Sequence, residues 1–153
     1  MIPKAIRVFP LSKGKEPQVF GTIDRVHDYF LKDLPSRSPP GRFNIRSEGS
    51  YFEKTSLILF QYTEKRDEQK IIGHAVLLSD GYVRDDTDAG YIGYYLLDLD
   101  SIVIYGKPVT KEEIYRIWKK NLCQSKHILD ISKYGEYMRL LQKKGIVRSD
   151  RNR

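Results

Sequence analysis

The chain of 153 residues contains one cysteine, Cys123. A lone cysteine cannot close an internal disulfide, and no Cys/His cluster has zinc spacing, so neither staple is expected. Apolar runs fall well short of the roughly 20 residues that cross a bilayer as a helix, so no membrane partner is expected. The opening "MIPKAIRVFPLSKGK" has neither a long apolar segment nor a small-residue cleavage site, which reads as no signal peptide and a reducing, cytoplasmic setting. Histidine is scarce: His27, His74 and His127 are the full set. None sits in a metal or nucleophile motif, so packing or surface roles are expected. Neither G-x-x-x-x-G-K-[ST] nor G-x-G-x-x-G occurs, which leaves nucleotide phosphates without a glycine-rich cradle. Repeats and low-complexity segments are also missing.

Positive charge is what the chain has in excess. Lys and Arg number 27 against 20 Asp and Glu, and the net charge is +7. That balance favours a polyanionic partner, nucleic acid first. A chain of this length can bury roughly 68–70% of its unfolded surface, so it suits one domain. The reading is a single domain over residues 1–145 and a basic tail over 146–153, "IVRSDRNR".

Local patterns set the order of elements. Residues 4–10, "KAIRVFP", alternate as a first strand. "TIDRVHDYFLKDLP" has Ile23, Val26, Phe30 and Leu34 at helical spacing, with Thr22 as N-cap, Asp24 in the first turn and Pro35 as the stop. "PPGRFNIRSEG" places Arg42, Asn44 and Arg46 on one face of a short strand, and Phe43 and Ile45 on the other. "SLILFQYT" is continuously apolar, which marks a central strand; "KIIGHAVLLSD" returns as its hairpin partner, with Gly73 at a bulge, bend or close approach. "YYLLDLDSIVIYG" is a further strand region, bent near Asp98 or Asp100.

Two helices close the chain. In "PVTKEEIYRIWKKNL", Thr110 and Glu113 form a capping box, and Ile114, Ile117, Trp118 and Leu122 supply a buried face. Trp118 is therefore read as core. "SKYGEYMRLLQKKG" carries Tyr134, Tyr137, Met138 and Leu141 on one stripe and stops at Gly145. The order β-α-β-β-β-β-α-α predicts an α+β fold: a curved, mostly antiparallel sheet or small β-barrel with flanking helices.

Catalytic constellations are sparse. Residues 85–90, "DDTDAG", suggest an oxygen-ligand loop but lack the regular spacing and the twelfth-position Glu of a calcium site, so a solvated loop is expected. Glu68 and Lys70 could serve a nuclease or hydrolase, yet they fall in a charged hairpin turn. No catalytic residue, metal or cofactor is assigned, and the chain is read as a non-enzyme. Binding chemistry has more of its parts. Phe43, Tyr62 and Tyr82 could stack on a base, or pack in the core. Asn44 has the donor and acceptor to read a base edge. Arg37, Arg42, Arg46 and Lys54, with Lys32 nearby, could hold phosphates.

The succession "AIRVFP", helix, "GRFNIRS", "SLILFQYT…KIIGHAVLLSDGY" and the late "KPVTKEEI" resembles the PUA-like superfamily, particularly its EVE and YTH branches. The resemblance runs from about Lys4 to Trp118. It implies a small barrel that flips a base into an aromatic cage, with Phe43 as one wall, Asn44 as the polar reader and Tyr82 opposite. The family cage often uses Trp, where this chain has Phe43 and Tyr82. The function implied is reading a modified base, in DNA ahead of RNA, as the specificity module of a modification-dependent restriction system with a nuclease or motor partner. The alternatives are an RNA-binding PUA-like or ASCH domain in RNA modification or translation, and a small PUA-like hydrolase or nuclease.

Overall fold

The computed structural model describes residues 2–11, 20–46, 52–65, 68–123 and 127–148. Eight strands make one mixed, mostly antiparallel sheet: β1 (Ile6–Pro10), β2 (Arg42–Ile45), β3 (Leu57–Thr63), β4 (Gln69–Leu77), β5 (Val83–Arg84), β6 (Gly93–Thr110), β7 (His127–Leu129) and β8 (Ile146–Arg148). Their order is β2-β6-β4-β3-β1-β7, with β5 and β8 also paired to β6. The one parallel pairing among these is β1 with β3. The sheet is open rather than a closed barrel, ending at β2 and β7. It curls enough that Phe9 of β1 meets Phe43 of β2 edge-on, with ring centroids 5.1 Å apart.

Each face of the sheet has its own core. β3 explains how: Ile58, Phe60 and Tyr62 enter one cluster, while Leu57 and Leu59 enter the other. A strand buried on both sides needs no polar alternation, which is why its sequence is continuously apolar. The first core is covered by α1 (Ile23–Asp28), a π-helical turn (Tyr29–Asp33) and α2 (Leu34–Ser36). Thr22 caps α1 by accepting from the Arg25 N–H at 3.2 Å. Pro35 is not the stop: it lies within α2, where early helical positions tolerate a missing N–H, and the chain becomes extended only at Arg37.

The second core is covered by α3 (Lys111–Trp118) and α4 (Tyr134–Lys144). The Thr110 hydroxyl accepts from the Glu113 N–H at 3.2 Å, and Glu113 Oε1 accepts from the Thr110 N–H at 3.0 Å, completing the capping box. Thr110→Ala removes one half of this exchange. It should cost about 1 kcal/mol in a urea unfolding titration. Trp118 packs against this core, half-buried rather than sealed, and its indole N–H donates to the Asp130 carbonyl at 2.9 Å.

Two interruptions shape the sheet. The β3–β4 and β4–β6 registers both shift next to Gly73, where a Cβ would stand 2.6 Å from the Val103 oxygen. The β4–β6 ladder shifts again between Val76, opposite Asp98, and His74, opposite Val103. There the Ser101 hydroxyl donates to the Asp98 carbonyl and accepts from the Val76 N–H, so the predicted irregularity near Asp98 and Asp100 is present. The C-terminal segment departs from expectation. Ile146–Arg148 form β8 against Val103–Tyr105 rather than starting a loose tail.

Candidate nucleic-acid interface

β2 divides its side chains as its alternation requires. Phe43 and Ile45 enter the first core, while Arg42, Asn44 and Arg46 turn to the opposite face. That polar face is covered. Asp85 and Asp88, from the turn between β5 and β6, reach over it; β6 itself pairs edge to edge with β2 and β5 pairs with the far edge of β6, Asn44 and Val83 both standing opposite Tyr94. Gly93 makes the close approach possible, since a Cβ there would stand 2.1 Å from the Val83 oxygen.

The cover carries carboxylates onto the arginine. Arg42 Nη1 donates to Asp85 Oδ2 at 3.1 Å, and its Nη2 lies 3.6 Å from Asp88 Oδ2. Its Nε donates to Asn44 Oδ1 at 2.9 Å, while Asn44 Nδ2 donates to Asp88 Oδ2 at 3.2 Å. The guanidinium lies 4.4 Å from the Tyr94 ring centroid. A guanidinium only 8% exposed needs such neutralisation; its Nη2 is nonetheless buried without a hydrogen-bond partner. Asp85 lies below the ordinary carboxyl range, chiefly because the Thr87 hydroxyl and N–H donate to it, with Arg42 adding to the effect.

These contacts correct three site assignments. Arg42 does not present itself to a phosphate, because two carboxylates already surround it. Asn44 is buried and spends one acceptor and one donor inside the network, so it does not face an incoming base edge. Phe43 is no cage wall: at 3% exposure it packs against Phe9, Tyr29, Phe30 and Phe60. The apolar pocket that it lines with Phe9, Phe52, Tyr95 and Leu97 has about 10 Å³ of space, the lower limit for one water and far too small for a base.

The remaining candidates separate. Tyr62 is 2% exposed and belongs to the first core. Tyr82 is half-buried, edge-on to Tyr95 at 6.0 Å, so no Phe43–Tyr82 sandwich forms. Arg37 lies over the Tyr29 ring at 5.1 Å. Lys54 is exposed, and its backbone N–H donates to Asp80. Lys32 pairs with Asp28 at 3.4 Å one helical turn away. Arg46 remains on the outside, over the Tyr91 ring at 4.6 Å, with Nη1 donating to the Gly90 carbonyl at 3.5 Å. A Cβ on Gly90 would come 2.8 Å from that nitrogen, so glycine leaves the guanidinium its place.

Reading the sequence alone passes over Tyr91, Tyr94, Asp85 and Asp88 as members of this cluster. The tyrosine-rich "GYIGYY" beside "DDTDAG" is the available signal. Among the described residues no group of three His, Cys, Asp or Glu side chains could hold a metal; Asp85 pairs with Arg42, and Asp88 accepts from Asn44. Lys70 donates to Glu64 at 2.8 Å, which raises its pKa and opposes a general-base role. His74 is 6% exposed; its Nδ1 bonds the Tyr105 hydroxyl, which bonds that of Tyr137 at 2.9 Å. Burial pushes the imidazole down to about 4 and both phenols above their ordinary range. Tyr105 and Tyr137 of this chain of hydrogen bonds belong to the second core. His27 is half-buried on α1, and the His127 side chain lies outside the described residues. No helix among the described residues is long and apolar enough to cross a membrane.

No protein-family model matches the chain, and no curated protein does. A solved structure does: a tyrosine-to-phenylalanine mutant of ZmASCH from Zymomonas mobilis, at TM-score 0.51 and 11% identity, over 90% of this chain and 99% of that one. At that identity the likeness is one of architecture: the chain shares the α+β fold of this ASCH protein.

Proposed function

We propose that the chain binds single-stranded nucleic acid, RNA ahead of DNA, at the corner where Arg46, just past β2, meets Gly90 and Tyr91, and acts by binding rather than by catalysis. The carrying observation is the Arg46 guanidinium lying over the Tyr91 ring at the exposed end of the Arg42–Asn44 network. An exposed arginine over an aromatic ring offers a base a stacking partner and a phosphate a charge. The half-buried Tyr94, opposite Asn44, lies on the same face. The PUA-like fold supports nucleic acid as the partner class. Stacking planes favour unpaired bases over a duplex, where the bases are already stacked.

The test is fluorescence anisotropy at two salt concentrations. The probes are one single-stranded RNA, the same sequence as DNA, and DNA duplexes with and without methylated adenine or modified cytosine. RNA is expected to bind most tightly. Arg46→Ala and Tyr91→Ala should each weaken it about five- to 150-fold, the equivalent of one base stack at about 1–3 kcal/mol. Folded variants that bind like the parent overturn this placement of the site. Preference for a modified duplex moves the function to reading a modified base in DNA, the activity of a restriction-type specificity module. Turnover of any probe ends the non-catalytic reading.

A further inference from the structure

Charge is unevenly distributed along the chain. Residues 107–153 carry 13 Lys and Arg against five Asp and Glu, whereas residues 1–106 carry 14 against 15. The whole positive excess therefore belongs to the last third. The fold places six of these cations on one layer, α3 and α4 with their flanking turns, while Lys107 and Arg148 lie on β6 and β8. Glu113 of α3 pairs with Lys144 of α4 at 2.8 Å, and Trp118 packs on Tyr137 with ring centroids 5.4 Å apart, so the two helices lie side by side and antiparallel. Their apolar stripes, Ile114 and Ile117 with Tyr137 and Leu141, are turned into the second core. Outward there remain Arg116, Lys119, Lys120, Lys133, Arg139 and Lys143, all exposed.

Two acids of these helices, Glu112 and Glu136, are also exposed, so the six cations stand in clear excess. Glu113 faces Lys144, and the Asp130 carboxylate accepts from the Ser132 N–H at the head of the turn before α4. Beside the cations stands Tyr115, 44% exposed, with the Lys119 ammonium 5.6 Å from its ring centroid. Lys119 reaches that place from a left-handed C-cap, φ +54°, whose N–H donates to the Tyr115 carbonyl at 2.7 Å.

We propose that the α3–α4 layer is a second contact face for nucleic acid, with the six outward cations on phosphates and Tyr115 against a base or sugar. This rests on the nucleic-acid reading above and adds to it the surface that supplies the electrostatic attraction. A phosphate chain suits it better than a membrane. An interfacial helix buries an apolar face in lipid, and here those faces are already spent on the core.

The experiment measures the salt dependence of RNA binding in the full chain. Arg116→Gln, Lys119→Gln, Arg139→Gln and Lys143→Gln are combined in one variant. Each phosphate contact to a single strand contributes about 0.7 to the slope of log K against log salt, so loss of all four should lower it by about 3. A control with Lys4→Gln, Lys32→Gln and Lys65→Gln should keep the parent slope. Circular dichroism and thermal melting check that both fold. Tyr115→Ala should weaken binding with little change in slope. If the parent binds RNA and the four-site variant keeps its slope, or the control loses as much, this face is refuted while the Arg46–Tyr91 reading stands. If the parent binds no nucleic acid, the underlying reading fails and takes this one with it. Binding of the parent to phosphatidylserine vesicles but not to RNA does the same, and assigns the face to membranes.

Discussion

Phe43→Ala is expected to lower the free energy of unfolding by about 3–5 kcal/mol, the range for removing a buried phenylalanine. The ring is 3% exposed and touches four other rings. It joins β2 to β1, to β3 and to the helical cover of the first core in a single contact set. Its loss enlarges a pocket that is already present beside it, lined by Phe52, Leu97 and others. Such a site cannot readily collapse, because its walls come from separate strands. At about 2–4 °C per kcal/mol for a domain of this size, the melting temperature should fall by about 6–20 °C. A base-cage wall would behave differently: its removal would cost affinity and little stability. Urea unfolding together with RNA anisotropy, at a temperature where the variant remains folded, separates the two. A normal midpoint with lost affinity would contradict the core placement.

Acid should weaken the fold before most carboxylates titrate, and His74 is the cause. Its ordinary pKa near 6.5 describes the unfolded chain, and burial pushes the folded group down to about 4. Between these values the unfolded state takes up a proton that the native state refuses. Stability is therefore full above about pH 6.5 and falls as pH drops toward 4. The shift corresponds to about 3 kcal/mol across that window. Tyr105 and Tyr137, the groups bonded along the same chain, stay neutral throughout because their phenols are raised. Asp85, Glu113 and Asp130 have lowered values, so their contributions are lost only as pH falls through those folded values. Urea titrations at pH 7, 6, 5 and 4.5 should show the decline, and His74→Gln should flatten it by removing the titrating group. A parent whose stability is level over this range would show that His74 is not held neutral by burial.

Much of the fold follows from short-range pattern. The capping box at Thr110 and Glu113, the helix stop at Gly145 and the double-sided burial of β3 are each written in a few neighbouring residues, because caps and faces depend on spacing alone. The interruption at Gly73 belongs with them. β5, β7 and β8 are invisible to such reading. Strands of two or three residues carry too little alternation to register, and only their pairing with β6 or β1 stabilises them.

The site is half legible for the same reason. Alternation along "RFNIR" correctly separates Phe43 and Ile45 from Arg42, Asn44 and Arg46. Whether either face meets solvent is not a local property. β5 and the start of β6 lie about 40 positions downstream, and the turn between them brings Asp85 and Asp88 to Arg42 and Asn44, leaving Arg46 on Tyr91 outside. By itself the sequence determined the periodicities, the caps, the basic excess and its place in the last third of the chain. The tertiary structure decided which aromatics are core and which arginine is exposed. It also decided that six cations of that excess share one helical layer, since burial and charge pairing depend on contacts between residues far apart in the chain.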